Sequence, residues 1–177
     1  EFRRWVASAG KAGLAKDPEN LLLVDGVGRL LYDQGKFDEA EPLFRNAIQI
    51  NREVLGANHP STLIAISNTA LLLADMGQGE EALALAQEAV TNGRTVLGQD
   101  HWIVGNFLAK QGRAAQALSR FQQAETDLLQ AHDILTKALS DAHPQTQRAA
   151  TYLADLYDQW HQANPSAGHN IAASTWR

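Results

Sequence analysis

The sequence predicts an all-α protein, a solenoid of stacked helix hairpins, and three observations carry that prediction. A motif recurs every 42 residues: Val54-Leu55-Gly56-Ala57-Asn58-His59 aligns with Val96-Leu97-Gly98-Gln99-Asp100-His101, and the same step brings His143 into Ala138-Leu139-Ser140-Asp141-Ala142-His143-Pro144. Small residues keep that step as well: Gly35 with Gly77, Ala40 with Ala82 and Ala124, Ala47 with Ala89 and Ala131, and the row Gly28, Ala70, Gly112, Ala154. Between them apolar residues follow the i, i+3, i+4, i+7 spacing of one helical stripe. Self-similarity at a fixed period marks a repeat architecture, because a single hairpin cannot bury its apolar face and stacked neighbours can.

Each unit divides into two helices. Val24, Val27, Gly28 and Leu31 form the stripe of the first, and Gly35 punctuates its end. Asp38 and Glu39 then place negative charge in the first turn of the next helix, where the macrodipole favours it. That helix carries Ala40, Leu43, Phe44, Ala47 and Ile48 and runs to Leu55, with Gly56 as its stop. Pro60 suits the first turn of a new helix, where its missing N–H costs nothing. Repetition of this unit predicts helices near 20–34, 37–55, 61–76, 79–96, 103–118, 121–139 and 145–161, with partial helices at 2–15 and 168–176. The corresponding divisions are a partial unit at 1–18, repeats at 19–59, 60–101 and 102–143, and a fourth at 144–177 with an incomplete second helix.

The repeating small residues have a mechanical reading. Helices that cross closely need Gly or Ala at the contact, since interaxial distance follows the side chains there. Gly28 and Ala40 are such positions, and Phe44, Leu128, Leu31 and Leu73 are expected to fill the space between neighbouring hairpins.

Composition narrows function. With 15 Lys+Arg against 20 Asp+Glu the net charge is −5, which argues against a nucleic-acid or anionic-membrane footprint built on clustered cations. The absence of cysteine removes disulfides, thiol catalysis and Cys-ligated zinc. No apolar run approaches the roughly 18 residues of a membrane-spanning helix. The chain opens on Glu1 rather than Met, and is expected to be a segment of a longer cytoplasmic polypeptide.

Gly28, Gly35, Phe37, Ala40, Phe44 and Ala47 occupy the positions that define the tetratricopeptide repeat, as do Ala70, Gly77, Ala82 and Ala89 in the second unit and Gly112, Phe121, Ala124 and Ala131 in the third. The pattern over residues 20–161 resembles that family. Its 42-residue period and the connector Leu55-Gly56-x-x-His59-Pro60-x-Thr62 are similar to the kinesin-light-chain subtype. The stretch around His101-Trp102, Gly112-Arg113 and Tyr152 to Tyr157, with Trp160 and Trp176-Arg177, is also similar to C-terminal repeats of bacterial proteins that often carry a Ser/Thr kinase domain upstream; no kinase motif is present. The resemblance implies a right-handed superhelix with first helices lining the concave surface.

Several positions depart from the pattern. Ser119 replaces the turn glycine, Gly79 stands where Phe37 and Phe121 do, and Ala86 stands where Phe44 does. In the third unit Gln111, Asp127 and His132 replace Val27, Leu43 and Ile48, which predicts that this unit is the least stable or buries its polar groups against partners.

Candidate chemistry is sparse. His59, His101 and His143 are equivalent positions on successive units, so they cannot meet at one metal ion. Their expected task is to organise the turn before each first helix through a ring nitrogen. Gly26-Val27-Gly28 lies inside a helical pattern with Leu31 where a third glycine should fall, which removes a dinucleotide fingerprint and leaves Gly26 unexplained. Asp38-Glu39 and Glu80-Glu81 read as first-turn charges, not an acid/base pair. Trp102, Trp160 and Trp176 read as core or end-capping aromatics. Phe2-Arg3-Arg4-Trp5 is too short for a membrane anchor and reads as the second helix of a truncated preceding unit.

No cofactor and no catalytic residue are expected; the expected role is a protein-interaction scaffold. By the resemblance, ligand-facing positions are Leu22, Asp25, Arg29, Tyr32 and Asp33 in the first unit, and Ile64, Ser67, Asn68, Leu71 and Asp75 in the second. They continue as Asn106, Ala109, Lys110, Arg113 and Gln116 in the third and Arg148, Thr151, Tyr152, Asp155 and Asp158 in the fourth. Arg and Tyr are interface anchors, and the Asn68 amide both donates and accepts. Asp25, Asp33 and Asp75 bias the first half negative, whereas Lys110, Arg113 and Arg148 make the third-to-fourth segment basic, the expected seat of an acidic stretch of a peptide or protein. Two alternatives stand beside this: a homo-oligomer assembled through end hairpins bearing Phe2, Trp5 and Trp176, and a regulatory domain of a kinase-linked enzyme.

Overall fold

Eight α-helices and no strand make up residues 18–176, the residues that the structure, a computed structural model, describes; side chains are described from residue 26 onward, apart from those of Ala167 and Asn170. The helices are α1 (Pro18–Asp33), α2 (Phe37–Val54), α3 (Pro60–Asp75), α4 (Gly79–Leu97), α5 (Trp102–Ala117), α6 (Phe121–Leu139), α7 (Pro144–Ala163) and α8 (His169–Thr175), with one 3₁₀ turn at Pro165–Ala167. The period thus gives hairpins α1–α2, α3–α4 and α5–α6, and a fourth in which the short α8 packs on α7. Successive first helices touch, α3 with α5 and α5 with α7. The preceding partial unit expected at 1–18, including the helix at 2–15 and Trp5, lies outside the described residues except for its final residue, Glu1 to Asp17 being the undescribed part.

Each boundary has a local cause. At the N-termini of α3, α5 and α7 the imidazoles of His59, His101 and His143 cap the helix: each Nδ1 accepts from the backbone N–H two residues on, Ser61, Ile103 and Gln145, at 3.2 Å in every case. The ring nitrogens therefore satisfy one of the helix's orphan donors, as the repeat pattern implied. The tight turns inside the hairpins share a Schellman geometry. Gly35, Gly77 and Ser119 occupy the left-handed position, and the following residues Lys36, Gln78 and Arg120 donate back to Leu31, Leu73 and Ala115.

The small-residue rows sit at the helix crossings. Ala40, Ala82 and Ala124 are 0% exposed, so no larger side chain has room there. A Cβ on Gly112 would stand 2.6 Å from Leu128 Cγ and 3.1 Å from the Ala124 carbonyl oxygen. On Gly28 it would meet Phe44 at 3.0 Å. Phe44 and Leu128 lie over the glycine of their own hairpin, so the space a glycine opens is filled by the aromatic or leucine four residues past the facing alanine; Phe44 also packs with Leu72 of the next hairpin, the place between hairpins expected of it. Leu73 is fully buried, as expected of a residue between units. Gly26 meets nothing within 4 Å, and no packing explains it. Replacing Ala82 by leucine is expected to destabilise by about 1–3 kcal/mol through overpacking, read as a lowered melting temperature.

Outside, the second helices are joined at a spacing of 36 residues: Arg45 to Glu81 at 2.7 Å, Arg52 to Glu88 at 2.7 Å, and Arg94 to Gln130 at 3.1 Å. These exposed contacts contribute little individually, on the order of 0.2–1 kcal/mol for each ion pair. They repeat the stacking step on the convex face.

The third unit's polar anomalies find partners, two of them within the unit and one in the fourth. Gln111 Nε2 donates to Asp127 Oδ2 at 2.9 Å, so the two replacements of Val27 and Leu43 face one another. His132 meets the Trp176 ring edge-on at 4.8 Å between centroids. Trp160 stacks on Phe121 at 5.6 Å and on His169 at 4.1 Å, and with Trp176 it packs on the core beside the last hairpin.

Candidate functional site

Residues of one face of a helix repeat every three to four positions, so a groove lined by first helices draws on a few positions per unit. All four first helices contribute here to a cleft of about 200 Å³, and among the described residues only Phe44 comes from a second helix. Its floor is apolar, with Ile64, Leu71, Ile103, Phe107 and Ala149; among the described residues its rim carries three cations, Arg29, Lys110 and Arg148, and one carboxylate, Asp33. The amides of Asn68, Asn106 and Gln145 also face it. That volume suits a large side chain with some backbone and falls below the few hundred Å³ typical of drug-sized ligands. The superhelix curves enough that Tyr32 and Asp33 at the end of α1 share a second, shallower recess with Pro144, Arg148 and Tyr152 of α7.

The expected ligand-facing residues fall into three groups. Arg29, Tyr32, Asn68, Asn106, Lys110, Arg148 and Tyr152 line the cleft, with Arg29 and Arg148 exposed. Lys110 Nζ donates to Asn68 Oδ1 at 2.6 Å, and Asn106 Nδ2 reaches the Trp102 carbonyl at 3.4 Å. Asp75 and Arg113 stand behind the wall and hold one another: Arg113 Nη2 donates to Asp75 Oδ1 at 3.0 Å. Asp155 is exposed and does not line the cleft, and the side chain of Asp25 lies outside the described residues, as does that of Leu22. Ser67 is fully buried and Gln116 nearly so, because their helix turns those positions toward neighbouring helices.

A polar chain crosses all four units beside the cleft. Tyr32 Oη donates to Asp75 Oδ2 at 2.5 Å, Arg113 bonds Asp75 from the other side, and the Arg113 guanidinium lies 5.1 Å from the Tyr152 ring centroid. Arg113 Nη1 also donates to Gln116 Oε1 at 3.1 Å, and Gln116 Nε2 to Gln159 Oε1 at 2.9 Å. Burial, reinforced by the bond to Asp75 and its charge, pushes the Tyr32 phenol well above its ordinary range. Burial raises Tyr152 too, against the pull of Arg148 and Arg113. Both phenols are therefore neutral, Tyr32 as a donor.

Asp75 is paired with Arg113, and Arg29 of the first helix shares one cleft with Lys110 and Arg148. Trp102 departs from its reading as a core or end-capping aromatic: its side chain is 39% exposed and lines the cleft beside His101. One signal pointed there, since residue 102 is equivalent to Pro60 and Pro144, the first helical position, which does not face inward. Gln145 was missed for the same reason, one residue further along. Among the described residues no helix is long and apolar enough to cross a membrane.

Residues 19–95 match the tetratricopeptide repeat family model. No curated protein matches the chain. Among solved structures, a kinesin light chain of Podosopora anserina with nearly identical TPR-like repeats is similar at 24% identity, over 98% of this chain and 82% of its own, with a TM-score of 0.66. A point variant of that protein gives the same identity and coverage with a TM-score of 0.68. BtubC (BKLC) from P. vanneervenii is similar at 15% identity over 99% of this chain and 70% of its own, with a TM-score of 0.70. The structural likenesses carry the fold: a helical solenoid of tetratricopeptide-type hairpins.

Proposed function

We propose that this tetratricopeptide-type solenoid is a non-catalytic protein-interaction scaffold that takes an acidic peptide or protein segment in the cleft of its first helices. One observation carries the reading. Helices from all four hairpins converge on a single cleft whose floor is apolar and whose rim, among the described residues, bears three cations against one carboxylate. An apolar side chain of the segment enters the floor, and flanking carboxylates meet Arg29, Lys110 and Arg148, with arginine able to bind them in bidentate fashion. The amides of Asn68 and Asn106 serve the segment's backbone, donating and accepting as an extended chain requires. The scaffold belongs, on this reading, to a larger cytoplasmic regulatory protein.

The test reverses two exposed charges of the cleft rim. Arg29→Glu with Arg148→Glu is expected to lower affinity for an acetylated, amidated oligoglutamate peptide by about tenfold or more, since each lost charge-assisted contact is of the order of 1.4 kcal/mol. Calorimetric titration reads the affinity, and raising the salt should weaken the parent protein more than the variant. Unchanged affinity would remove the basic rim from the account.

A further inference from the structure

Asp75 and Arg113 were expected to face a ligand, yet neither lines the cleft; both are about four-fifths buried, with side-chain exposures of 20% and 23%. The groups they hold do line it. Tyr32 comes from α1 and Tyr152 from α7, the first and last of the four first helices, and both line the cleft and the shallower recess. Each is fixed by a different member of the pair: Tyr32 through its hydroxyl on Asp75, Tyr152 through the guanidinium over its ring. A hydroxyl bonded to a carboxylate is a short, directional contact, and a guanidinium face holds an aromatic ring flat.

We propose that Asp75 and Arg113 are positioning residues of the cleft: as one unit they hold two of its lining side chains, Tyr32 and Tyr152, in place and couple the first hairpin to the last. The pair sits on α3 and α5, so the coupling runs through all four units. If Asp75 is lost, the Arg113 guanidinium loses the carboxylate that fixes it and shifts, and the stack on Tyr152 shifts with it. Tyr32 loses its acceptor at the same moment. Both rings move, although among the two only Tyr32 is hydrogen-bonded to Asp75.

This inference rests on the cleft being the binding site, and its test separates the two. Asp75→Ala makes the groove more positive, so a role as mere charge would raise oligoglutamate affinity. A positioning role lowers it, by about tenfold on the scale of one charge-assisted contact. Asp33→Ala removes the same charge from the rim without touching the pair, and is expected to leave affinity equal or higher. Asp75→Glu, which keeps the carboxylate, should recover most of the loss, and Tyr32→Phe should show the Tyr32 part of it in a protein that keeps the Asp75–Arg113 bond. Equal gains for Asp75→Ala and Asp33→Ala would overturn the proposal.

A second readout needs no ligand. The chain has three tyrosines, and Tyr157 donates to Glu125 away from the pair, so it is an internal reference. Ring carbon resonances of labelled tyrosine are expected to shift for both Tyr32 and Tyr152 in Asp75→Ala, with Tyr157 still. A stationary Tyr152 signal would sink the coupling. If the parent protein ignores oligoglutamate altogether, the functional reading fails alone and this resonance decides the inference.

Discussion

Gln111→Val is expected to destabilise the protein by about 2–3 kcal/mol, even though it installs the residue that the first unit carries at the same place. Gln111 supplies the hydrogen bond that Asp127 Oδ2 receives inside the third hairpin, and Asp127 is 8% exposed. Removing the donor leaves a buried carboxylate without that partner, which costs more than an ordinary hydrogen bond contributes. Adding Asp127→Leu to the same variant restores the Val27–Leu43 combination of the first unit and should return stability to within about 1 kcal/mol of the parent, because both partners are then apolar. Non-additivity is the signature: the double variant is far better than the first single one. Additive melting shifts would show that the two side chains do not share one environment.

The same carboxylate fixes a pH dependence. Burial pushes the Asp127 pKa above its ordinary 3.8, outweighing the bond from Gln111 and the attraction of Arg94 that pull it down. The folded state therefore holds this proton more firmly than the unfolded chain. Ionised Asp127 opposes folding above the raised pKa, and that cost fades as pH falls through it toward 3.8. Asp127→Asn keeps an acceptor for Gln111 and removes the charge. Its melting temperature should exceed the parent's at neutral pH, with the gap closing in acid.

The architecture was readable from residue 18 onward because one geometric demand repeats. A close crossing admits only Gly or Ala, a Schellman turn favours glycine, and each of these recurs every 42 residues, so three copies check one another. The histidine caps were readable for the same reason. The site was less so. Helical periodicity tells which residues face a groove but not which of them find one another across it, and the contacts that occupy Asp75 and Arg113 join positions 38 residues apart, off the repeat step. Polar partners at such offsets depend on side-chain reach between helices, which no single-helix pattern contains. Trp102 illustrates the other limit: the period gave its place at the start of α5, while its chemistry suggested burial, and place prevailed.

Replacing Ser119 and Ser140 together by glycine should stabilise the third hairpin by about 2–3 kcal/mol, and the reason is visible only by comparison along the chain. Ser119 stands at φ +57° where the other units have Gly35 at +71° and Gly77 at +77°. Ser140 stands at φ +89° with ψ 163°, where its equivalent Gly98 has φ +93° and ψ 157°. The first conformation is left-handed helical, unfavourable for a residue with a Cβ by about 1–2 kcal/mol. The second belongs almost wholly to glycine, with a cost of about 1–3 kcal/mol. Both side chains are exposed, so little packing is lost, and what glycine gives back is unfolded-state entropy of about 0.4–1 kcal/mol per site. The serines persist because the surrounding geometry is dictated by the stack: Arg120 must reach the Ala115 carbonyl to begin α6, and His143 must arrive in place to cap α7. A melting shift of roughly 4–12 °C is expected for a protein of this size. Since stability in a stacked array is local as well as global, slower amide exchange in α5, α6 and the start of α7 than in α3 and α4, relative to the parent, is the sharper measurement. No change in either would mean that the neighbouring units do not impose those two backbone angles, and that the third hairpin relaxes around its serines.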